Sequence, residues 1–433
     1  MLVFSAFAVT PVLLRARVTT VPELLGRRFD DRMRRYLSSV SIVLSIFLDT
    51  AGSLYAGALV IRVFFPALEL TWCCVAIAVF AGIYTAAGGL RAVVYTDVFQ
   101  SVILLIGSLL LAVLVFGEFD YSLSAVQSAL GAEKLSLIRP ADDPYLPWPG
   151  TLIGLPILGF YYWTMNQYVS QRILGARSID TAARGAMLAA GLKLLPLFIM
   201  VFPGAMAAAL FTDIDRADTI FPRLIAEFAP AGLAGLILAG LISAIMSSVD
   251  SALNSASTLI SVDFVQPHRP HMTSQQLARS GRYITLILMV VAAVWAPMID
   301  NFPGLFAYLQ QGFTYAAAPL VPAFLLAIYS RGINADAAFF GTLTGHAFSG
   351  LCFVAVQLEW ITLHFTIMAG VLVVFSTLAI MFFQWRYQRL PSLVQLAVVA
   401  TSDDSSRHHF PADIRWMAAL IIAAIVWLLS CFW

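Results

Sequence analysis

Charge is what this chain has least of. Asp, Glu, Lys and Arg make up 11% of its 433 residues while 60% are hydrophobic. A soluble globule of that length needs far more polar surface to cover itself, so a water-soluble protein is excluded. The net charge is +1 and no basic cluster reads as nucleic-acid binding. Four cysteines are present; Cys73, Cys74 and Cys352 lie in apolar runs, Cys431 near the end, and none has metal or disulfide spacing. The histidines form no ligand pattern either, and no nucleophile–base pair is visible. Neither an enzyme nor a cofactor is expected. The opening MLVFSAFAVTPVLL has no positive n-region and no small-residue cleavage site, so it does not read as a signal peptide.

What fills the chain instead is apolar runs of membrane length. Spans are expected at 38–65, 69–87, 93–117, 150–172, 184–211, 232–262, 281–299, 304–329, 335–357, 362–385 and 414–432. The first run is only about 14 residues long before Arg15, which is short of a full span, and its beginning reads as cut off. The expected fold class is an all-α polytopic membrane protein with eleven full transmembrane helices and one partial N-terminal helix. It forms one domain over 1–433, with 386–413 a polar linker before the last helix. Arginine is distributed unevenly. Only Arg62, Lys134, Arg139, Arg216 and Arg223 fall in one set of alternating loops, whereas the other set holds nineteen basic residues, seven of them between Arg15 and Arg35. The arginine-rich side is expected to be cytoplasmic and the C-terminus outside, in a plasma or inner membrane. The loops 118–149 and 212–231 then lie outside as short surface loops.

The most informative stretch is Leu238 to Val262. Between Gly232 and Val262 the only charge is Asp250, yet Ser243, Ser247, Asp250, Asn254, Thr258 and Ser261 share one helical face with Ser251 at its edge. Lipid cannot satisfy such a stripe. Small polar residues often serve only as helix-packing contacts, and for Ser243 or Ser255 alone that is the better reading. The adjacent hydroxyls of Ser247 and Ser248 beside Asp250 are hard oxygen donors at membrane depth, which a small cation needs.

Other polar groups interrupt apolar runs. Asp97 either pairs with Arg91 or serves an ion. Asp49, in SIFLDTAGSLYAG, either pairs with a basic residue of another helix or faces water. Lys193, in AAGLKLLPLFIMVFPG, is the costliest to bury and needs a partner or water. The segment GFYYWTMNQYVSQR sets Tyr161, Tyr162, Trp163, Asn166 and Gln167 on one membrane helix, a combination that stacks on and hydrogen-bonds a polyol. An interfacial aromatic belt is its ordinary alternative. Gln310 and Gln311 are two further amides that want partners.

Taken together, VPELLGRRF, GIYTAAGGLRAVVYTDVFQSVILLIGSL, LPWPG, YYW with NQYVSQR, ISAIMSSVDSALNSASTLISVDF, APMI and FLLAIYSRG resemble the sodium:solute symporter family, in its sodium/glucose cotransporter branch. The resemblance implies an inverted-repeat, LeuT-like fold around a midplane site, with sodium as coupling ion. It implies a main sodium site at the Ala244 carbonyl, Ser247 and Ser248, and a second at Asp97 with Asp250 and Ser251. It gives Lys193 and Gln310 sugar-binding roles, makes Tyr162 an aromatic gate, and puts Trp163 and Asn166 beside the solute. Two positions depart from the branch: Asp250 where some sugar carriers have threonine, and Gly159 where a polar residue would face the sugar. The family's first core helix, broken at mid-membrane, and the start of the second are expected to be missing. The function implied is sodium-coupled symport of a hexose-like solute, with impaired activity for this chain alone. The alternatives are symport of a carboxylate, amino acid or vitamin, and a non-transporting membrane sensor on the same scaffold.

Overall fold

The computed structural model describes residues 1–214, 216–388 and 408–432, with the backbone alone for 84–97 and Ala132. Every regular element among the described residues is helical. Among the described residues, nine helices are long and apolar enough to cross a membrane. A tenth arises if Leu2–Ala16 (α1) and Val21–Arg28 (α2), bent by 73° at a four-residue break, count as one span. Asp31–Phe64 (α3) follows, then Leu70–Gly117 (α4), in which Leu70–Ile83 and Val98–Gly117 are the fully described parts. The expected boundary between the spans 69–87 and 93–117 therefore lies outside the fully described residues. Trp148–Phe160 (α5) and Gln167–Leu174 (α6) come next, then Ile179–Leu210 (α7), Ala231–His268 (α8), Ser274–Asn301 (α9), Leu305–Tyr329 (α10), Ala335–Gln357 (α11), Phe365–Tyr387 (α12) and Ala412–Cys431 (α13). Of the expected linker 386–413, residues 389–407 lie outside the described chain.

The expected single span over 150–172 is corrected. After α5 the chain widens into a π-helical turn, Tyr161–Met165, and Asn166 is extended at φ −64°, ψ 119°. Its side chain then accepts the N–H of Tyr168 and starts α6. Asparagine is among the best N-cap residues, which makes 166 a stable place to restart a helix. Similar wide turns occur at Leu44–Thr50 in α3, Leu197–Val201 in α7 and Ile260–Val265 in α8. Such turns leave backbone groups off the regular ladder and often mark functional positions.

One large apolar core joins α1–α3, α10 and α12, with Tyr55, Tyr161 and Phe324 among its fully buried side chains. The last helix packs on α7 through Ala183, Met187, Ile414 and Ala418. Gly154 lets α5 sit on α12 so closely that a Cβ there would meet the Thr366 carbonyl oxygen at 2.0 Å, and at Gly341 of α11 it would meet Ile380 Cα at 2.5 Å. Small residues at membrane helix crossings permit this backbone approach.

Each end of the bundle carries a polar knot. On the arginine-rich end, Asp263 is buried and accepts from Arg34 at 2.7 Å, Ser38 at 2.5 Å and Thr20 at 3.1 Å, joining α8 to α3 and to the turn before α2. On the other end, Asp300 accepts from Tyr55 at 2.8 Å and from Arg216, while Asp218 accepts the Leu305 N–H at 3.1 Å. The second knot straps the loop around 216–218 over α3, α9 and α10.

Candidate functional site

Two cavities meet at the helix break, and Tyr162 and Tyr168 line both of them. The smaller holds about 180 Å³ and is walled by Asp49 and Ser53 of α3, Ser248 of α8, and Leu309 and Phe313 of α10. The larger holds about 590 Å³ and is walled by Trp163, Arg172, Thr181 and Lys193. The break puts Tyr162 between them: its ring meets Trp163 edge-on at 5.1 Å on one side and Phe313 at 5.9 Å on the other. A third cavity of about 280 Å³, near the 118–137 loop, is lined almost wholly by apolar side chains such as Phe198 and Phe202 and offers no constellation for a polar solute.

Lys193 caps the C-terminal end of the helical segment Ile179–Leu192. It is exposed and lines the larger cavity. Lys193 and Leu194 form a two-residue turn before the helix resumes at Leu195, and the C-terminal end of a helix favours a cation. Its ammonium lies 5.0 Å from the centre of the Trp163 ring, a cation–π arrangement. Lys193, Trp163 and Tyr162 are therefore brought together, as the sequence suggested. Gln310 is not among the residues lining either cavity, although its neighbour Leu309 lines the smaller one.

Asn166 is buried and donates to Asp49 Oδ2 at 3.2 Å while its own oxygen caps α6. It acts on the shape of the break more than as a free wall of the cavity. Asp49, for which either a basic partner or water was open, has this amide as partner and faces the smaller cavity.

On α8, Ser248 Oγ donates to the Ala244 carbonyl at 3.2 Å and faces the same cavity as Asp49. Three hard oxygens thus lie in one region, a donor set suited to a small cation. Ser247, next in sequence, is not among the residues lining that cavity. The stripe beyond turns toward α6. Ser251 is buried and accepts from Arg172 at 2.6 Å, its carbonyl accepts from Gln171 at 3.3 Å, and Asn254 donates to Gln171 at 3.2 Å. Asp250 is buried on the same helix. A guanidinium thus sits against the hydroxyl expected to help form a second sodium site. The side chain of Asp97 lies outside the described residues.

Sequence reasoning passed over Tyr168, Arg172 and Ser53 as cavity walls, and Asp263 as a buried carboxylate. Tyr168 lies in the same YYWTMNQY segment as Tyr162 and was within reach of the same argument; the partners of Asp263 come from more than 200 residues away.

The family model for the sodium:solute symporters matches residues 1–345. Among curated relatives, the chain is 33% identical to sodium/myo-inositol cotransporter 2 of Homo sapiens, over 78% of this chain and 56% of that protein. It is 33% identical to a sodium/mannose cotransporter of Bos taurus, over 79% and 63%, and 31% identical to sodium/glucose cotransporter 1 of Ovis aries, over 80% and 58%. The chain thus spans between 56% and 63% of the length of these relatives. Among solved structures, a substrate-bound, outward-open Na+-coupled sialic acid symporter matches with TM-score 0.72 at 21% identity, covering 88% of this chain and 80% of that one. Mhp1 in its inward-facing conformation matches with TM-score 0.56 at 17% identity, over 94% and 88%.

Proposed function

Because this chain belongs to the sodium:solute symporter family and is a multi-pass membrane protein of the inverted-repeat transporter fold, we propose that it serves sodium-coupled symport of a hexose-like or polyol solute. The observation that carries the solute class is the shared cavity of Lys193, Trp163 and Tyr162. A sugar offers an apolar face to stack on an aromatic ring and a rim of hydroxyls to hydrogen-bond, and these three side chains supply both partners. The relatives named for myo-inositol, mannose and glucose support the same class.

Sodium enters at Ala244, Ser247 and Ser248, with the solute on the far side of Tyr162, which acts as the gate between ion and solute cavities. Ion entry from an outside that is positive supplies the driving force, about 2.3 kcal/mol per charge at 100 mV. The arginine-rich end, with Arg34, Arg28 and Asp263, faces the cytoplasm and the loop carrying Arg216 faces outside. Asp97 with Asp250 and Ser251 is the further sodium position that the family pattern suggests, and Gln310 is its sugar-facing amide.

The test is uptake of radiolabelled glucose, mannose and myo-inositol into proteoliposomes containing the protein, under an imposed inward sodium gradient. Uptake of at least one that collapses when choline replaces sodium is the expected result. Sodium-driven uptake of a carboxylate or amino acid with no response to any polyol would overturn the solute class and leave the fold untouched.

A further inference from the structure

Asp49 has an unusual position for a carboxylate. It sits halfway along α3, on the wide turn Leu44–Thr50, within a helix that crosses the membrane. One of its oxygens, Oδ2, accepts from Asn166 at 3.2 Å. Among the described residues no lysine, arginine or histidine lies within salt-bridge distance of it, and its second oxygen has no hydrogen-bond partner. A carboxylate at that depth is costly unless a positive charge joins it. An amide dipole on one oxygen offsets only part of that cost.

The missing positive charge has a place to sit. Asp49 lines a cavity of about 180 Å³ together with Ser248, whose Oγ lies 3.2 Å from the Ala244 carbonyl oxygen. The rest of the wall is largely apolar, with Leu48, Leu305, Leu309 and Phe313, so a charge inside is attracted to the carboxylate with little screening by water. Lys193 and Arg172 line the other cavity, across the tyrosines.

We infer that Asp49 is the charged ligand of the coupling ion: a sodium ion held in this cavity between the free carboxylate oxygen of Asp49 on α3 and the Ser248 hydroxyl on α8. This rests on the symport reading and deepens it, since hydroxyls and carbonyls of α8 alone leave a sodium ion uncompensated. With Asp49 the loaded site is electrically neutral. Asn166, which holds the other oxygen, aims the free one and so positions the ligand.

Equilibrium binding of radioactive sodium to the purified protein in lipid nanodiscs tests this without needing transport. Asp49→Asn keeps the size of the side chain and an acceptor for Asn166 while removing the charge. The expected result is a sodium dissociation constant raised about tenfold or more, with Asp49→Glu binding more tightly than Asp49→Asn and both variants unfolding within a few degrees of the parent. If Ser248→Ala weakens sodium binding while Asp49→Asn and Asp49→Glu both bind like the parent, the ion is held without Asp49; the inference falls and the symport reading stands. A parent protein that binds no sodium at all overturns both.

Discussion

Asn166 and Asp49 are 117 residues apart in sequence, and one hydrogen bond between them, Nδ2 to Oδ2 at 3.2 Å, ties the break in one membrane-spanning stretch to the mid-membrane carboxylate of another. The same asparagine caps the helix that follows. Replacing it with alanine removes a cap and a bond to a charged acceptor together, so Asn166→Ala should lower stability by about 1–3 kcal/mol. Thermal unfolding in detergent measures this, and an unchanged midpoint would show that the break holds its shape without the pair.

Ser248→Ala deletes one hard oxygen while leaving a residue that fits the helix. The sodium concentration for half-maximal uptake should rise by about tenfold or more, with expression unaltered. Sodium dependence identical to the parent protein would move the ion site off α8.

Lys193 and Trp163 are a pair, and the pairing predicts non-additivity. Lys193→Ala and Trp163→Ala should each reduce polyol uptake by roughly five- to hundredfold, and the double variant should lose less than the product of the two. Fully multiplicative losses in a double-mutant cycle would show that the ammonium and the indole act on the solute independently.

Two ion pairs differ in enclosure. Arg34–Asp263 has one partner entirely enclosed, whereas Arg184–Asp413 has both partners about half exposed. Removing one partner of an enclosed pair costs about 3–5 kcal/mol, while a solvent-exposed pair is screened and contributes little. Asp263→Ala should therefore fail to accumulate at normal levels and Asp413→Ala should accumulate normally. Equal accumulation of the two variants contradicts the assignment of Asp263 as a structural anchor.

Loop acidity supplies a pH test. Asp143 accepts the N–H of Leu146 at 2.8 Å and of Tyr145 at 2.9 Å, and pairs with Arg139 at 2.9 Å. These contacts, the Leu146 N–H foremost, hold its carboxyl below the usual carboxylate range. A depressed folded value means the contribution is complete above the unfolded value near about pH 4 and disappears as pH drops through the folded one. Proteolysis of the 118–149 loop should be unchanged from neutral pH down to about 5 and rise only below about 4. In Asp143→Ala the loop should be cleaved readily at every pH, and a loop equally resistant in that variant would refute the account.

The membrane helices were legible because hydropathy is averaged over about 20 residues and survives any local irregularity. The polar stripe of α8 was legible for the same reason, as a departure from that average with a clear period. Breaks were less readable. FYYWTMNQY contains neither glycine nor proline, and only the capping preference of Asn166 hinted at a restart. That Lys193 needs a partner or water was legible from the apolar run on both sides of it, whereas the turn at 193–194 was announced only by Pro196, an ordinary sign of a helix end. Whether Gln310 or its neighbour Leu309 lines the smaller cavity depends on how α10 rolls against its neighbours, and no one-dimensional pattern carries that rotation.

The glycine contacts have a mechanical consequence. At Gly154 and Gly341 the neighbouring helices meet within the reach of a single carbon atom, and helices in such contact cannot slide past each other by a turn without collision. Any rocking motion must then leave α5, α11 and α12 as a stiff slab and bend where the hydrogen-bond ladder is already open, at Tyr161–Met165 and Leu197–Val201. In any such motion the slab would serve as the fulcrum and the aromatic segment before Asn166 as the bending point.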